Sequence, residues 1–194
     1  AKRDNILRQA SQAFGRLGVK KASIDQIAEM AGVAKGTIYL ACQSKADLFY
    51  QVLQREVLNW MGEVQKHIDP RKPADELLKE ASIRGEEYLA KRPLMRALLF
   101  GEAYTYLPGW KPKLDKLAKL GRQNVVQILN IGIAQGRFRD DIDIELVAEM
   151  LQDLQLAYFV LHQHTDELKR PAERAHRRDV GRDLILRGLL PREA

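Results

Sequence analysis

The stretch Ser23-Ile24-Asp25-Gln26-Ile27-Ala28-Glu29-Met30-Ala31-Gly32-Val33-Ala34-Lys35-Gly36-Thr37-Ile38-Tyr39-Leu40-Ala41-Cys42-Gln43-Ser44-Lys45 decides how the chain is read. Ile24, Ile27, Ala28 and Ala31 recur at the three-and-four spacing of a helix with one apolar face, and Ser23 stands before them as an N-cap. Gly32 ends that helix, because glycine enters the left-handed region without a Cβ clash, and Val33 folds back as a small apolar pin. A second helix starts near Lys35 and runs about seven residues to Ala41, too short to persist alone but long enough to lie in a major groove. The spacing predicts a helix-turn-helix.

Upstream, Ile6, Leu7, Ala10, Ala13, Phe14 and Leu17 predict a core helix from Lys2 to Leu17, stopped by Gly18, with Val19 to Ala22 as the link to Ser23. Downstream, Ser44 caps a long helix to about Ile68 carrying Leu48, Phe49, Val52, Leu53, Val57, Trp60, Met61 and Val64 at helical spacing. At about 1.5 Å per residue that helix spans roughly 36 Å, enough to serve as a lever between two domains. Asp69-Pro70 and Pro73 terminate it. The expected boundary lies near Gln54, dividing the chain into 1–53, which carries the helix-turn-helix, and 54–194.

Further helices are expected over 73–91, 94–106, 112–136, 144–164 and 172–190, the first four set apart by Pro93, Pro108-Gly109 and the polar turn at 137–141. No strand-like alternation or hairpin dipeptide occurs, so the fold class is all-α.

The 194 residues suffice for a real core, and 45% hydrophobic with 30% charged residues is ordinary globular composition. No apolar run reaches the ~20 residues of a membrane span, and Ala1 to Asn5 lack the apolar core of a signal peptide; a cytoplasmic location without a membrane partner is expected. Cys42 is the one cysteine, which excludes an internal disulfide. The net charge is +6. Residues 1–50 hold eight Lys/Arg against four Asp/Glu and the remaining 144 hold 24 against 22, so the basic excess accompanies the helix-turn-helix.

The pattern Ile6-Leu7, Ala10, Phe14, Gly18, Ile24, Ile27-Ala28, Ala31-Gly32-Val33, Lys35-Gly36-Thr37-Ile38-Tyr39, Ser44-Lys45 and Leu48-Phe49 resembles the N-terminal domain of TetR-family transcriptional regulators over about residues 4–53. The resemblance implies an all-helical homodimer that represses transcription until a small molecule binds its C-terminal domain. Carried over by position, it makes Lys35, Gly36 and Thr37 the start of the recognition helix, with Thr37 and Leu40 nearest base edges and Tyr39 and Lys45 on phosphates. Ser23 and the amides at its helix start offer another phosphate site. One segment departs from the family: Leu40-Ala41-Cys42 replaces bulky aromatic or histidine residues followed by phenylalanine. Cys42 then reads as a smaller core residue, and Leu40 and Ala41 offer methyl contacts without hydrogen bonds.

The last two expected helices carry broad apolar stripes, and the resemblance implies that they pair with their counterparts in a second subunit; otherwise they cover the monomer's own core. Candidates for an effector pocket are Trp60, Tyr88, Phe100, Tyr104, Gln123, Gln127, Gln155, Tyr158 and Phe159, a mixture of aromatics and amides suited to a moderately apolar, neutral or weakly polar effector. No cofactor and no metal is implied: His162 and His164 are two apart and point away from each other on a helix, and Asp140, Asp141, Asp143 and Glu145 lack the spacing of a calcium loop. No GxSxG, HExxH or phosphate-binding loop occurs, so an enzyme is not expected. A DNA-organising protein without an effector, or a small-molecule enzyme on a helical scaffold, remains the competing reading.

Overall fold

The computed structural model describes residues 2–99, 101–164 and 171–191. The described residues form helices and no strand. The elements are α1 (Lys2–Lys21), α2 (Ile24–Ala31), α3 (Lys35–Ala41), α4 (Lys45–Gln65), α5 (Ala74–Lys91), α6 (Pro93–Leu99), α7 (Glu102–Tyr106), a 3-10 turn at Pro108–Trp110, α8 (Lys111–Gly121), α9 (Gln123–Ala134), α10 (Ile144–His164) and α11 (Pro171–Leu189).

Several boundaries differ from the sequence expectation, each for a local reason. Gly18 takes φ 75° and ψ 158° and interrupts the first helix, yet helical turns resume through Lys21. The expected helix over 94–106 is two, because Gly101 adopts φ 77° before α7. The expected helix over 112–136 breaks between Gly121 and Gln123 into α8 and α9. The long helix stops at Gln65 rather than Ile68, and the turn beyond it is held by His67 N–H to the Val64 carbonyl at 2.9 Å and Ile68 N–H to the Gln65 carbonyl at 3.2 Å.

The chain packs as two compact units, one comprising Ala1–Trp60 with Leu89–Gly121, the other Met61–Tyr88 with Arg122–Ala194. In the first, Ile6, Phe14, Ile27, Ile38, Leu48, Phe49 and Leu53 are buried together with Leu94, Met95, Leu98, Leu114 and Leu117. Phe49 meets Phe14 edge-on at 5.3 Å and Tyr106 edge-on at 6.3 Å, joining α1, α4 and α7 in a geometry that aromatic quadrupoles favour. The backbone of α1 comes close to α6 at Gly15, where an added Cβ would stand 3.3 Å from Pro93 Cγ. Residues 1–53 therefore share their hydrophobic interior with α6 to α8, which the expected boundary near Gln54 placed in the other domain.

In the second unit the core is Ala74, Leu77, Leu78, Ile128, Leu129, Phe138, Ala148 and Leu189, with Val147, Leu151, Ile185 and Leu186 packed around it. The Phe138 ring occupies the space a side chain at Gly132 would need, an added Cβ falling 2.0 Å from Phe138 Cδ2. Gln135 clamps the start of α5: its Oε1 accepts from Ala74 N at 3.0 Å, and its Nε2 donates to Pro70 and Lys72 carbonyls at 2.9 and 2.8 Å. Buried Asn124 on α9 donates to the Met61 carbonyl at 3.1 Å. Among the described residues no helix is long and apolar enough to cross a membrane.

Candidate nucleic-acid interface

The helix-turn-helix begins with a closed capping box. Ser23 Oγ accepts from Gln26 N at 3.1 Å while Gln26 Oε1 accepts from Ser23 N at 3.0 Å, satisfying two orphan donors reciprocally. The role of Gln26 was missed in the sequence, although a glutamine three residues after a capping serine is its recognised signal. Gly32 closes α2 at φ 64°, ψ 36°, with Val33 N–H reaching the Ala28 carbonyl at 3.0 Å. The sharp turn thus follows from one left-handed glycine.

Helix α3 is fixed from three sides. Ile38 is fully buried, and Cys42, 4% exposed, directs Sγ at the Ile38 carbonyl 3.3 Å away. Burial pushes the Cys42 thiol above its ordinary range, as a packed core residue requires. At the N-terminal end, Lys35 Nζ lies 3.0 Å from Asp25, so the starts of α2 and α3 are tied together. The Asp25 carboxylate beside it raises the Lys35 pKa and partly neutralises its charge. At the C-terminal end, Gln51 of α4 donates Nε2 to the Ala41 carbonyl at 3.2 Å and to Asp47 Oδ2 at 3.1 Å, while Arg3 of α1 donates to Gln51 Oε1 at 3.0 Å. This Arg3–Gln51–Ala41 connection could not be read from the sequence, because its members are 48 and 10 residues apart.

With α3 held this way, its outer face is bare. Leu40 is 89% exposed and Tyr39 49%, whereas Thr37 is half-buried at the edge of the same face. Gly36 is exposed, and a Cβ built there meets nothing within 4 Å, so the protein's own packing does not require a glycine. Lys45, half-buried, donates Nζ to the carbonyls of Lys20 at 3.2 Å and Ala22 at 3.1 Å. Two of its three donors are thereby engaged at the end of α1. Ser44 caps α4 as expected, its Oγ accepting from Asp47 N at 3.1 Å.

Charge follows the packing more sharply than it follows sequence position. The first unit holds sixteen Lys/Arg against seven Asp/Glu, the second sixteen against nineteen. The residues that carry the helix-turn-helix lie in a strongly basic body, and residues 89–121 supply seven of its cations and two of its acids. Such a distribution suits a polyanion.

The candidate effector residues divide between the two units. Trp60 and Tyr104 belong to the first, and Tyr104 donates its hydroxyl to Asp115 at 2.9 Å. Tyr88, Gln123, Gln127, Gln155 and Tyr158 belong to the second, all half-buried. There Gln155 donates to the Ser82 carbonyl at 2.9 Å and lies against Gly85, which has no side chain to exclude it. The hydroxyl of Tyr158 lies over Gly181 in the same way. Phe100 and the side chain of Phe159 lie outside the described residues, as do the side chains of His162 and His164. Among the described residues no three His, Cys, Asp or Glu side chains gather into a metal site. Two arginines that the sequence reading passed over also lie in this unit: Arg84 and Arg122 each bury Nε without a hydrogen-bond partner, Arg122 being only 13% exposed beside Glu149.

A short exposed helix, braced behind by a capped partner helix and carried by a basic body, defines a helix-turn-helix DNA-binding protein. Residues 6–52 match the profile of "Bacterial regulatory proteins, tetR family". The HTH-type transcriptional repressor KstR2 of Mycolicibacterium smegmatis is 30% identical over 156 residues, covering 79% of this chain and 75% of that protein. The Fatty acid metabolism regulator protein of Bacillus subtilis is 24% identical over 147 residues, covering 75% of each. Among solved structures, the transcriptional regulator FadR from Bacillus subtilis in complex with stearoyl-CoA superposes with a TM-score of 0.68 at 19% identity, covering 96% of this chain and 97% of that one. The chain belongs to the TetR family, and it is a ligand-responsive transcriptional regulator.

Proposed function

We propose that this regulator is a repressor: a homodimer that binds a near-palindromic operator and is released by an amphiphilic acyl thioester. The observation that carries the DNA side is Leu40, 89% exposed one residue from α3's end while Ile38 and Cys42 of the same segment are buried. An apolar side chain left in water on so short a helix gains most when it meets thymine methyls in a major groove. Thr37 reads beside it, Gly36 lets the DNA backbone approach, Lys35 stands at the helix start, and Ser23, Tyr39 and Lys45 hold phosphates.

The dimer is supported by an exposed apolar stripe. Leu146, Met150 and Leu154 on α10 are 53%, 55% and 41% exposed, and Val180 and Leu184 on α11 are 47% and 67%. Four-residue spacing puts each set on one helix face, and a two-fold pairing through 144–164 and 172–190 buries both.

The effector class is suggested by the relatives, one bearing the name of a fatty acid metabolism regulator and one solved with stearoyl-CoA. The buried, unpartnered Nε atoms of Arg84 and Arg122 support an anionic group on that effector, because a buried donor without a partner carries a free-energy cost that a ligand oxygen removes. This keeps the expected apolar body but departs from the neutral or weakly polar character expected of the effector, giving it a charged end. Binding in the second unit would shift the population of α4 orientations and move the paired recognition helices off successive major grooves. The protein acts by binding, without turnover, in the cytoplasm where the operator lies.

Footprinting on the DNA upstream of its own gene, with and without stearoyl-CoA, tests the reading. A protected near-palindrome that is lost on adding stearoyl-CoA, with the thioester recovered intact, is the expected outcome. Protection spread over many sites and indifferent to every acyl thioester would favour a DNA-organising protein instead.

A further inference from the structure

We infer that the first unit carries a second DNA-backbone surface outside the helix-turn-helix: Lys20 and Lys113, set over the aromatic rings of Tyr106, Trp110 and Tyr50, and the exposed Lys116 three residues beyond Lys113 on α8, take phosphates flanking the bases read by α3. The inference rests on the DNA-binding reading and extends it to elements that lie beyond the matched residues 6–52.

Three observations carry it. The first is how these cations are held. Lys113 Nζ lies 4.2 Å from the Trp110 ring centroid and 5.8 Å from that of Tyr50, whose rings are themselves 5.3 Å apart. Lys20 Nζ lies 5.9 Å from the Tyr106 ring. A ring face positions an ammonium without neutralising it or using up its N–H donors, so the full charge stays available to a second partner. Lys111 next door is different, paired to Asp115 at 2.7 Å.

The second is continuity with the phosphate end of the motif. The Lys20 carbonyl accepts from Lys45, while Tyr106 packs on Phe49 and Trp110 on Tyr50. These contacts wrap the 3-10 turn around the opening turns of α4. Tyr50 is five residues beyond Lys45 on that helix, about 7–8 Å along its axis. The ring-held Lys113 therefore sits against the opening turns of the same helix whose first residue is Lys45.

The third is charge. Residues 89–121 hold seven Lys/Arg against two Asp/Glu and pack in the same unit as the motif, not in the acidic one. The partner that this surface already has beside it is DNA.

The test uses the full chain and a labelled mixed-sequence duplex of about 40 base pairs, with affinity measured across a salt series. Each phosphate contact contributes about 0.9 to the slope of log K against log salt, so Lys113→Gln with Lys116→Gln should shallow the slope by about one to two. Lys113→Arg should keep the wild-type slope, and Lys79→Gln, an exposed control in the second unit, should too. A thermal melt confirms that each variant is folded. An unchanged slope in the double variant, or an equal change in Lys79→Gln, overturns the inference. So does retained DNA binding with lost adhesion to phosphatidylserine vesicles, which would assign the surface to a membrane. Failure of the wild type to bind any duplex would remove the DNA reading itself, and this surface with it.

Discussion

Lys45 Nζ donates to the carbonyl of Ala22 at 3.1 Å, tying the first turn of α4 to the residue just before the Ser23 cap. One side chain thus braces the helix-turn-helix, and the proposed phosphate contact gives it a second role. Lys45→Ala should therefore fail in two measurements. The lost hydrogen bonds lower stability by about 1 kcal/mol, or roughly 2–4 °C in Tm for a chain of this size. The lost charge weakens binding to every sequence and shallows the salt slope by about 0.9. A lowered Tm with an unchanged slope would leave Lys45 as a brace alone.

Gly36→Ala separates folding from binding. Because an added Cβ meets nothing in the protein, the variant should be as stable as wild type or better by about 0.5–1 kcal/mol. If the DNA backbone approaches this point, operator affinity falls by about tenfold, equivalent to ~1.4 kcal/mol. Anisotropy titration beside a denaturant melt reads both, and full affinity would move the duplex away from Gly36.

Gln51→Ala removes the link between α4 and the end of α3 without removing charge. Operator affinity should drop about fivefold, on the order of 1 kcal/mol, while the salt slope stays at the wild-type value. A shallower slope would place Gln51 on a phosphate.

The pair Arg137–Asp75, at 2.6 Å, gives a pH signature. Hydrogen bonding to Arg137 holds the Asp75 carboxyl below its ordinary value. Its folded pKa is thus lower than its unfolded value of about 3.9, so its contribution is complete above that pH and vanishes as pH falls through the folded pKa. Both side chains are substantially exposed, so the contribution is on the order of 0.5 kcal/mol. Urea midpoints should show Asp75→Asn below wild type by a constant margin from about pH 5 to 8, the margin closing below about pH 4. A margin that persists at low pH would mean packing, not the ion pair.

Leu184→Glu tests the dimer. This leucine is 67% exposed on α11, so the substitution costs the monomer little, while an isologous interface meets the charge twice. Sedimentation at micromolar concentration should show a dimer for wild type and a monomer for the variant. A variant that stays dimeric would move the interface off α11.

What the sequence by itself determined is whatever depends on near neighbours. The Ser23 cap, the Gly32 turn, the buried Ile24, Ile27 and Ile38, and the start of α4 at Ser44 are set by residues within one or two helical turns, and all stand where the spacing put them. Helix ends at Gly18, Gly101 and Gly121 were harder, because a glycine permits a break without dictating how far the helix resumes beyond it. The tertiary structure alone decided which distant segments share a core. Phe49 on Tyr106, Gly15 beneath Pro93, and Gln51 between Arg3 and Ala41 join residues tens of positions apart, and no local period encodes such pairings. Packing therefore drew residues 89–121 to the DNA-binding head, and with them seven cations against two acids that a reading along the chain had left in the remainder.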